Sequence, residues 1–100
     1  MPPIKKLKEI IVEEIGLVRP TKVKYKDKTI ITKGLDIKEL CQYWKEEFEI
    51  YDDKIRLVFK DKKYYNGMKQ RTLQTSKTVE ELFYKLGFVC EYRGENNGKK

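Results

Sequence analysis

The stretch Asp36-Ile37-Lys38-Glu39 constrains this chain more than any other. Asp36 can accept from the free amides of a first helical turn, and Glu39 can reach back to the Asp36 amide. Together they form an Asp version of the capping box. Leu35 and Leu40 stand at hydrophobic-staple spacing around it. Ile37, Leu40, Cys41, Trp44 and Phe48 then recur on one face. A helix must start at Asp36 and bury that stripe, which makes Cys41 and Trp44 core residues, not ligands. A second box, Thr78 with Glu81, opens a shorter stripe of Val79, Leu82, Phe83 and Leu86. Gly87 is placed to stop it, with Phe88 as the apolar contact of a Schellman end.

Around these helices the apolar period changes from 3.6 to 2. Val23 and Tyr25 alternate with Lys22, Lys24 and Lys26, Asp27-Lys28 supplies a turn, and Thr29-Ile30-Ile31-Thr32 returns. This predicts a hairpin over 21–33, in which the turn length decides whether Ile30 or Ile31 points inward. Ile55, Leu57 and Phe59 alternate with Arg56, Val58 and Lys60 as a further strand. After turns at Asp52-Asp53 and Asp61-Lys62, Asn66-Gly67 is a stronger turn signal and predicts short strands near 63–65 and 68–73. Phe88, Cys90 and Tyr92 alternate with Val89, Glu91 and Arg93 as a last strand. At the other end, Ile4, Leu7, Ile11 and Ile15 share a helical face, with Pro3 at a first helical position and Gly16 as a stop, which predicts a helix over 3–15. The expectation is one α+β domain over 1–100, with a core over 21–93 and a polar, flexible tail over 94–100.

The residues that are missing exclude several chemistries. There is no histidine in the 100 residues, two cysteines, and a single serine, Ser76. A Ser-His-Asp or Cys-His nucleophile lacks its imidazole, and two cysteines without histidine cannot build the usual four-ligand zinc site. Glu49 with Asp52-Asp53 lacks the ligand spacing of a calcium loop. No catalytic residue, metal or cofactor is expected. No apolar run approaches the roughly 20 residues of a membrane span. The amphipathic N-terminus is not a signal peptide. The expected setting is a reducing cytoplasm, with Cys41 and Cys90 as buried thiols.

Charge carries the remaining signal. The 23 basic and 16 acidic side chains leave +7. Only four of the cations are arginine (Arg19, Arg56, Arg71 and Arg93), and alanine is absent. That is the pattern of an AT-rich coding source, and it discounts the charge as a sign of nucleic-acid recognition, which favours arginine. The distribution is more telling than the total. Residues 19–34 carry +5, 35–53 carry −5 and 54–77 carry +7, while both ends balance at zero. Strand alternation would put Lys22, Lys24, Lys26, Arg56 and Lys60 on a sheet face away from the helices, where lysine also guards exposed strands against aggregation. The predicted helix over 3–15 would either cover that face or cap one edge. Lys62 and Lys63 beside Tyr64 and Tyr65 could add stacking to single-stranded bases, although such tyrosines more often pack at a sheet edge.

From 21 to 93 the expected order of strands and helices resembles the ubiquitin roll, or β-grasp fold. Arg56-Leu57-Val58-Phe59, Lys62, Asn66-Gly67 and Thr72-Leu73 are similar to the third and fourth strands of ubiquitin. The resemblance implies a ββαββαβ core behind the first helix. The chain departs from ubiquitin in having three extra residues between Gly67 and Thr72, and in its longer helix at 79–86. It also ends Gly98-Lys99-Lys100, without the Gly-Gly of a covalent modifier. Thr72-Leu73-Gln74-Thr75-Ser76 leading into Val79-Glu80-Glu81-Leu82 resembles the same region of Phox-and-Bem-type adaptor domains. Those domains pair through a first-strand lysine, to which Lys22 or Lys24 would correspond. Their acidic loop has no counterpart here beyond Asp61, so the resemblance implies at most the basic half of such a pair.

These readings converge on a small, non-enzymatic basic module that docks an acidic protein surface through its strands, with Lys22, Lys24, Lys26, Arg56, Lys60, Lys62, Lys63 and Tyr64 as the contact residues. The alternatives are sequence-tolerant binding of DNA or RNA and a phage or mobile-element inhibitor of a host enzyme. The acidic stretch 35–53 could also meet the basic hairpin of a second copy in a salt-dependent self-association.

Overall fold

The computed structural model describes residues 6–16, 20–33, 36–71 and 77–94. Its elements run β1 (Lys8–Glu14), β2 (Thr21–Tyr25), β3 (Lys28–Thr32), α1 (Ile37–Phe48), β4 (Ile55–Phe59), α2 (Lys62–Gly67), α3 (Val79–Lys85) and β5 (Phe88–Tyr92). The strands form one five-stranded mixed sheet in the order β3-β2-β1-β4-β5. β1, β2 and β3 make an antiparallel meander, and β4 and β5 run parallel to β1. The class is α+β, as expected. Pro3, Ile4, Leu35, residues 72–76 and the tail from 95 lie outside the described residues.

The helix expected over 3–15 gives way to β1. Glu9-Ile10-Ile11-Val12-Glu13 satisfies both periods, because Leu7, Ile11 and Ile15 repeat helically while Ile10 and Val12 alternate. The β-branched run favours the strand. Position in the sheet decides the matter. β1 sits between β2 and β4, pairs along both edges, and buries Ile10 and Val12 completely.

The strand expected near 63–65 is also absent, with α2 in its place. Of the one expected near 68–73, the described residues 68–71 form a turn that ends in a single bridge from Arg71 to Thr78, while 72 and 73 lie outside the described residues. Asp61 caps α2, accepting from the Lys63 amide at 2.9 Å, so Asn66-Gly67 closes a helix instead of turning a hairpin. A strand would send Tyr64 and Tyr65 to opposite faces, whereas the helix lets both pack against the core. Tyr65 lies 5.9 Å from Phe59 and 5.7 Å from Tyr92, ring centre to ring centre, at the ends of β4 and β5. Among the described residues the order is therefore βββαβααβ, not the ββαββαβ behind a helix that the β-grasp resemblance implied.

Both capping boxes form. Asp36 accepts from the Glu39 amide at 2.8 Å and Thr78 from the Glu81 amide at 3.1 Å. The β2–β3 hairpin turns at Lys26-Asp27, one residue earlier than expected, because Tyr25 pairs with Lys28. That register points Ile30 inward and leaves Ile31 62% exposed. Gly87 has φ +95°, and a Cβ there would stand 2.7 Å from the Asp53 carbonyl, so the stop after α3 requires glycine.

All three helices pack on one face of the sheet, against Ile10, Val12, Val23, Leu57 and Phe59. Trp44 is at the centre of that layer. It stacks on Phe83 at 6.0 Å and meets Phe88 edge-on at 5.9 Å. Among the described residues no helix covers the other face. No described helix is long and apolar enough to cross a membrane.

Candidate binding surfaces

The open face carries the alternate residues of every strand. Lys22, Lys24, Arg56 and Arg93 lie there with Glu9, Glu13 and Glu91, around an apolar strip of Ile11, Val58 and Val89. The acids among its cations make this face mixed, not the basic surface that the alternation of lysines suggested. Lys22 meets Glu13 at 3.4 Å.

Its centre is a closed ion-pair network. Arg56 donates to Glu9 at 3.0 Å and stands 3.2 Å from Glu91. Arg93 donates to both Glu9 oxygens at 2.8 Å and to Glu91 at 2.7 Å. The Arg93 guanidinium, helped by Arg56, pulls the Glu9 carboxyl down to about 2 against the opposing effect of partial burial. Arg93 is raised in turn by Glu9 first and Glu91 second. Arg56, expected as a free contact residue, is thus engaged within its own sheet. Below the network Val58 is fully buried, flanked in register by Ile11 and Glu91.

The other expected contact residues scatter. Lys24 is exposed on the open face, whereas Lys26 sits in the hairpin turn with φ 55° and its ammonium 5.3 Å from the Tyr25 ring. Lys60 lies past the end of β4, and Lys62 and Lys63 lie on α2, all three exposed. Tyr64 is half-buried against the core with Lys63 over its ring at 5.3 Å, so it offers no free stacking platform.

A basic surface does appear where the chain leaves the C-terminal end of β4. From residue 60 to 71, and again at 77, the described residues hold Lys60, Lys62, Lys63, Lys69, Arg71 and Lys77 against one acid, Asp61. Asp61 is committed to capping α2. The bonds from the Val79 amide to Gln70 O and from the Glu80 amide to Met68 O bring the start of α3 back onto this stretch. Lys69 pairs with Glu80 at 2.7 Å. Lys77 comes close enough to Lys85 to lower its pKa, so like charges converge here. Lys69, Arg71 and Lys77 were not among the expected contact residues, although the +7 of residues 54–77 was the signal that contained them.

The two thiols are free, Cys41 buried and Cys90 only half-buried. Burial pushes both up to about 12, which makes them poor nucleophiles at neutral pH. No group of three or more metal-ligating side chains occurs among the described residues. Comparison with protein-family models, curated proteins and solved structures gave no match to any of them, so the geometry alone carries the functional reading.

Proposed function

We propose that this chain is a non-enzymatic binding module that docks an acidic protein surface with the basic end built around α2, not with the open face of its sheet. The supporting observation is the concentration of cations at that end. Lys60, Lys62, Lys63 and Arg71 are exposed, while the only acid within the stretch is used as a helix cap. The open face mixes acids with its cations, and its arginines are occupied. Lysines on a short helix present point charges without the planar fork that reads guanine edges, so recognition at this end rests on charge and not on base identity. The raised thiols and the engaged Glu9 argue for binding over catalysis.

Fluorescence anisotropy with labelled polyglutamate and a labelled single-stranded oligonucleotide, at low and high salt, tests this. Polyglutamate should bind at low salt and weaken as salt rises. Replacing Lys60, Lys62 and Lys63 together by Glu should abolish binding, and replacing Lys22 and Lys24 by Glu should leave most of it. Equal loss in both variants would return the site to the strand face. Binding of the oligonucleotide alone would replace this reading with the nucleic-acid one.

A further inference from the structure

The two edges of the sheet are guarded very differently. β3 is bracketed by Lys28 and Lys33, the kind of charge that discourages strand addition. β5 reads Phe88-Val89-Cys90-Glu91-Tyr92, and its single charge is already neutralised within the sheet by Arg56 and Arg93. Parallel pairing fixes which backbone groups β5 leaves open. The Ile55 amide donates to Gly87 O at 2.9 Å and the Arg93 amide to Phe59 O at 2.9 Å. In a parallel ladder alternate residues face the neighbour, so Val89 and Glu91 also turn toward β4. The N–H and C=O groups of Phe88, Cys90 and Tyr92 therefore point to the free edge, where no described strand receives them.

Beside that edge runs a groove of about 280 Å³ between α3 and β5, lined by Glu80, Tyr84, Lys85, Phe88 and Cys90 among others. Tyr84 is 59% and Tyr92 40% exposed. The surrounding surface is electrically balanced. Residues 77–94 hold Lys77, Lys85 and Arg93 against Glu80, Glu81 and Glu91, in a chain of net charge +7. An acidic or polyanionic ligand has no reason to choose this edge over the α2 end. Two copies of a strongly basic chain, however, can approach here without mutual repulsion.

We propose that β5 is a self-association edge, on which a second copy of this chain adds its own β5 in antiparallel register about a two-fold axis. The open groups of Phe88, Cys90 and Tyr92 are symmetric about Cys90. They pair Cys90 with Cys90 of the second copy, and Phe88 with its Tyr92. Every outward amide then finds a carbonyl, and the interface is isologous and closes on itself. The exposed part of Tyr92 enters the groove beside Tyr84 of the other copy. This association is driven by backbone hydrogen bonds and apolar contact. It differs from pairing of the acidic α1 region with a basic hairpin because salt should not dissolve it.

Sedimentation over a range of concentrations, at low and high salt, tests the proposal together with site-resolved amide exchange. The expected result is a monomer–dimer equilibrium little affected by salt. The amides of Phe88, Cys90 and Tyr92 should gain protection as concentration rises, and those of β3 should not. Cys90→Pro removes an outward amide without removing a β4 bond. Tyr84→Lys adds a charge beside the groove at a residue that the core does not use. Each should weaken dimerisation by about tenfold or more, and Tyr84→Lys keeps the test sound if Cys90→Pro unfolds. A monomer at all concentrations, a dimer indifferent to Tyr84→Lys, or protection gained at β3 would each overturn the proposal.

Discussion

The two faces of this sheet are made by the same strands and held by different physics. On the helical side, Ile10, Val12, Leu57 and Phe59 meet Trp44 and Phe83 in a layer closed to solvent. On the other, one residue along each strand, Glu9, Arg56 and Glu91 are tied by charge and remain partly wet. The apolar face fixes the fold by removing area from water. The charged face ties three neighbouring strands together, since Glu9, Arg56 and the Glu91–Arg93 end belong to β1, β4 and β5. A stripe of alternating charges on a strand is therefore not by itself a docking surface.

The largest test of this contrast is Trp44→Ala, which should cost about 3–5 kcal/mol in urea unfolding as a large cavity opens in the helical layer. Trp44→Phe should cost clearly less, because the buried Trp44 Nε1 has no acceptor among the described residues and its removal relieves an unpaired donor. Next comes Gly87→Ala, expected to cost more than about 1 kcal/mol, since positive φ and the Asp53 carbonyl both oppose a side chain.

On the open face, Glu9→Gln should cost about 1 kcal/mol after allowance for solvent screening. A Glu9→Gln/Arg93→Ala double variant should lose less than the two singles combined. The same group sets an acid limb. The folded Glu9 pKa is depressed from 4.5 to about 2, so its stabilisation is complete above the unfolded value and is lost as pH falls from about 4.5 toward 2. Glu9→Gln should flatten that limb in denaturation curves followed across the window. The smallest effect is expected at Lys24, where Ala should change stability by no more than about 0.5 kcal/mol. A larger loss there would mean that the open face contributes more than its arginines.

Much of the helical layer could be read in the residues, because capping boxes and apolar stripes are local. Asp36 with Glu39 and Thr78 with Glu81 start α1 and α3 where expected, and Gly87 ends the second. Non-local pairing was not legible. Ile10-Ile11-Val12 satisfies the helical and the strand period, and pairing with β2 on one edge and with β4, more than forty residues onward, on the other decides between them. Tyr64-Tyr65 and Asn66-Gly67 carry strand and turn propensity, but an Asp61 cap and the pull of Phe59 on Tyr65 make them helical. The pairing of surface charges was hidden for the same reason. Arg56 was assigned the right face, yet its partner Glu9 was placed on a helix, so their pairing was invisible. The charge blocks were counted correctly, but the +7 segment bends into α2 instead of spreading along a hairpin.

The place of β1 in the middle of the sheet bears on the order of assembly. The meander with β2 and β3 needs only nearby residues and can form while the chain is still being made. The parallel seam must wait for β4, and the Glu9–Arg93 clasp joins positions 84 apart in sequence. Closing long loops is the slow part of folding, so β1 spends that interval with one edge bare and Ile10 and Val12 only partly covered. A nascent chain halted before β4 would thus keep the second edge of β1 bare at the moment when a ribosome or chaperone is its nearest neighbour.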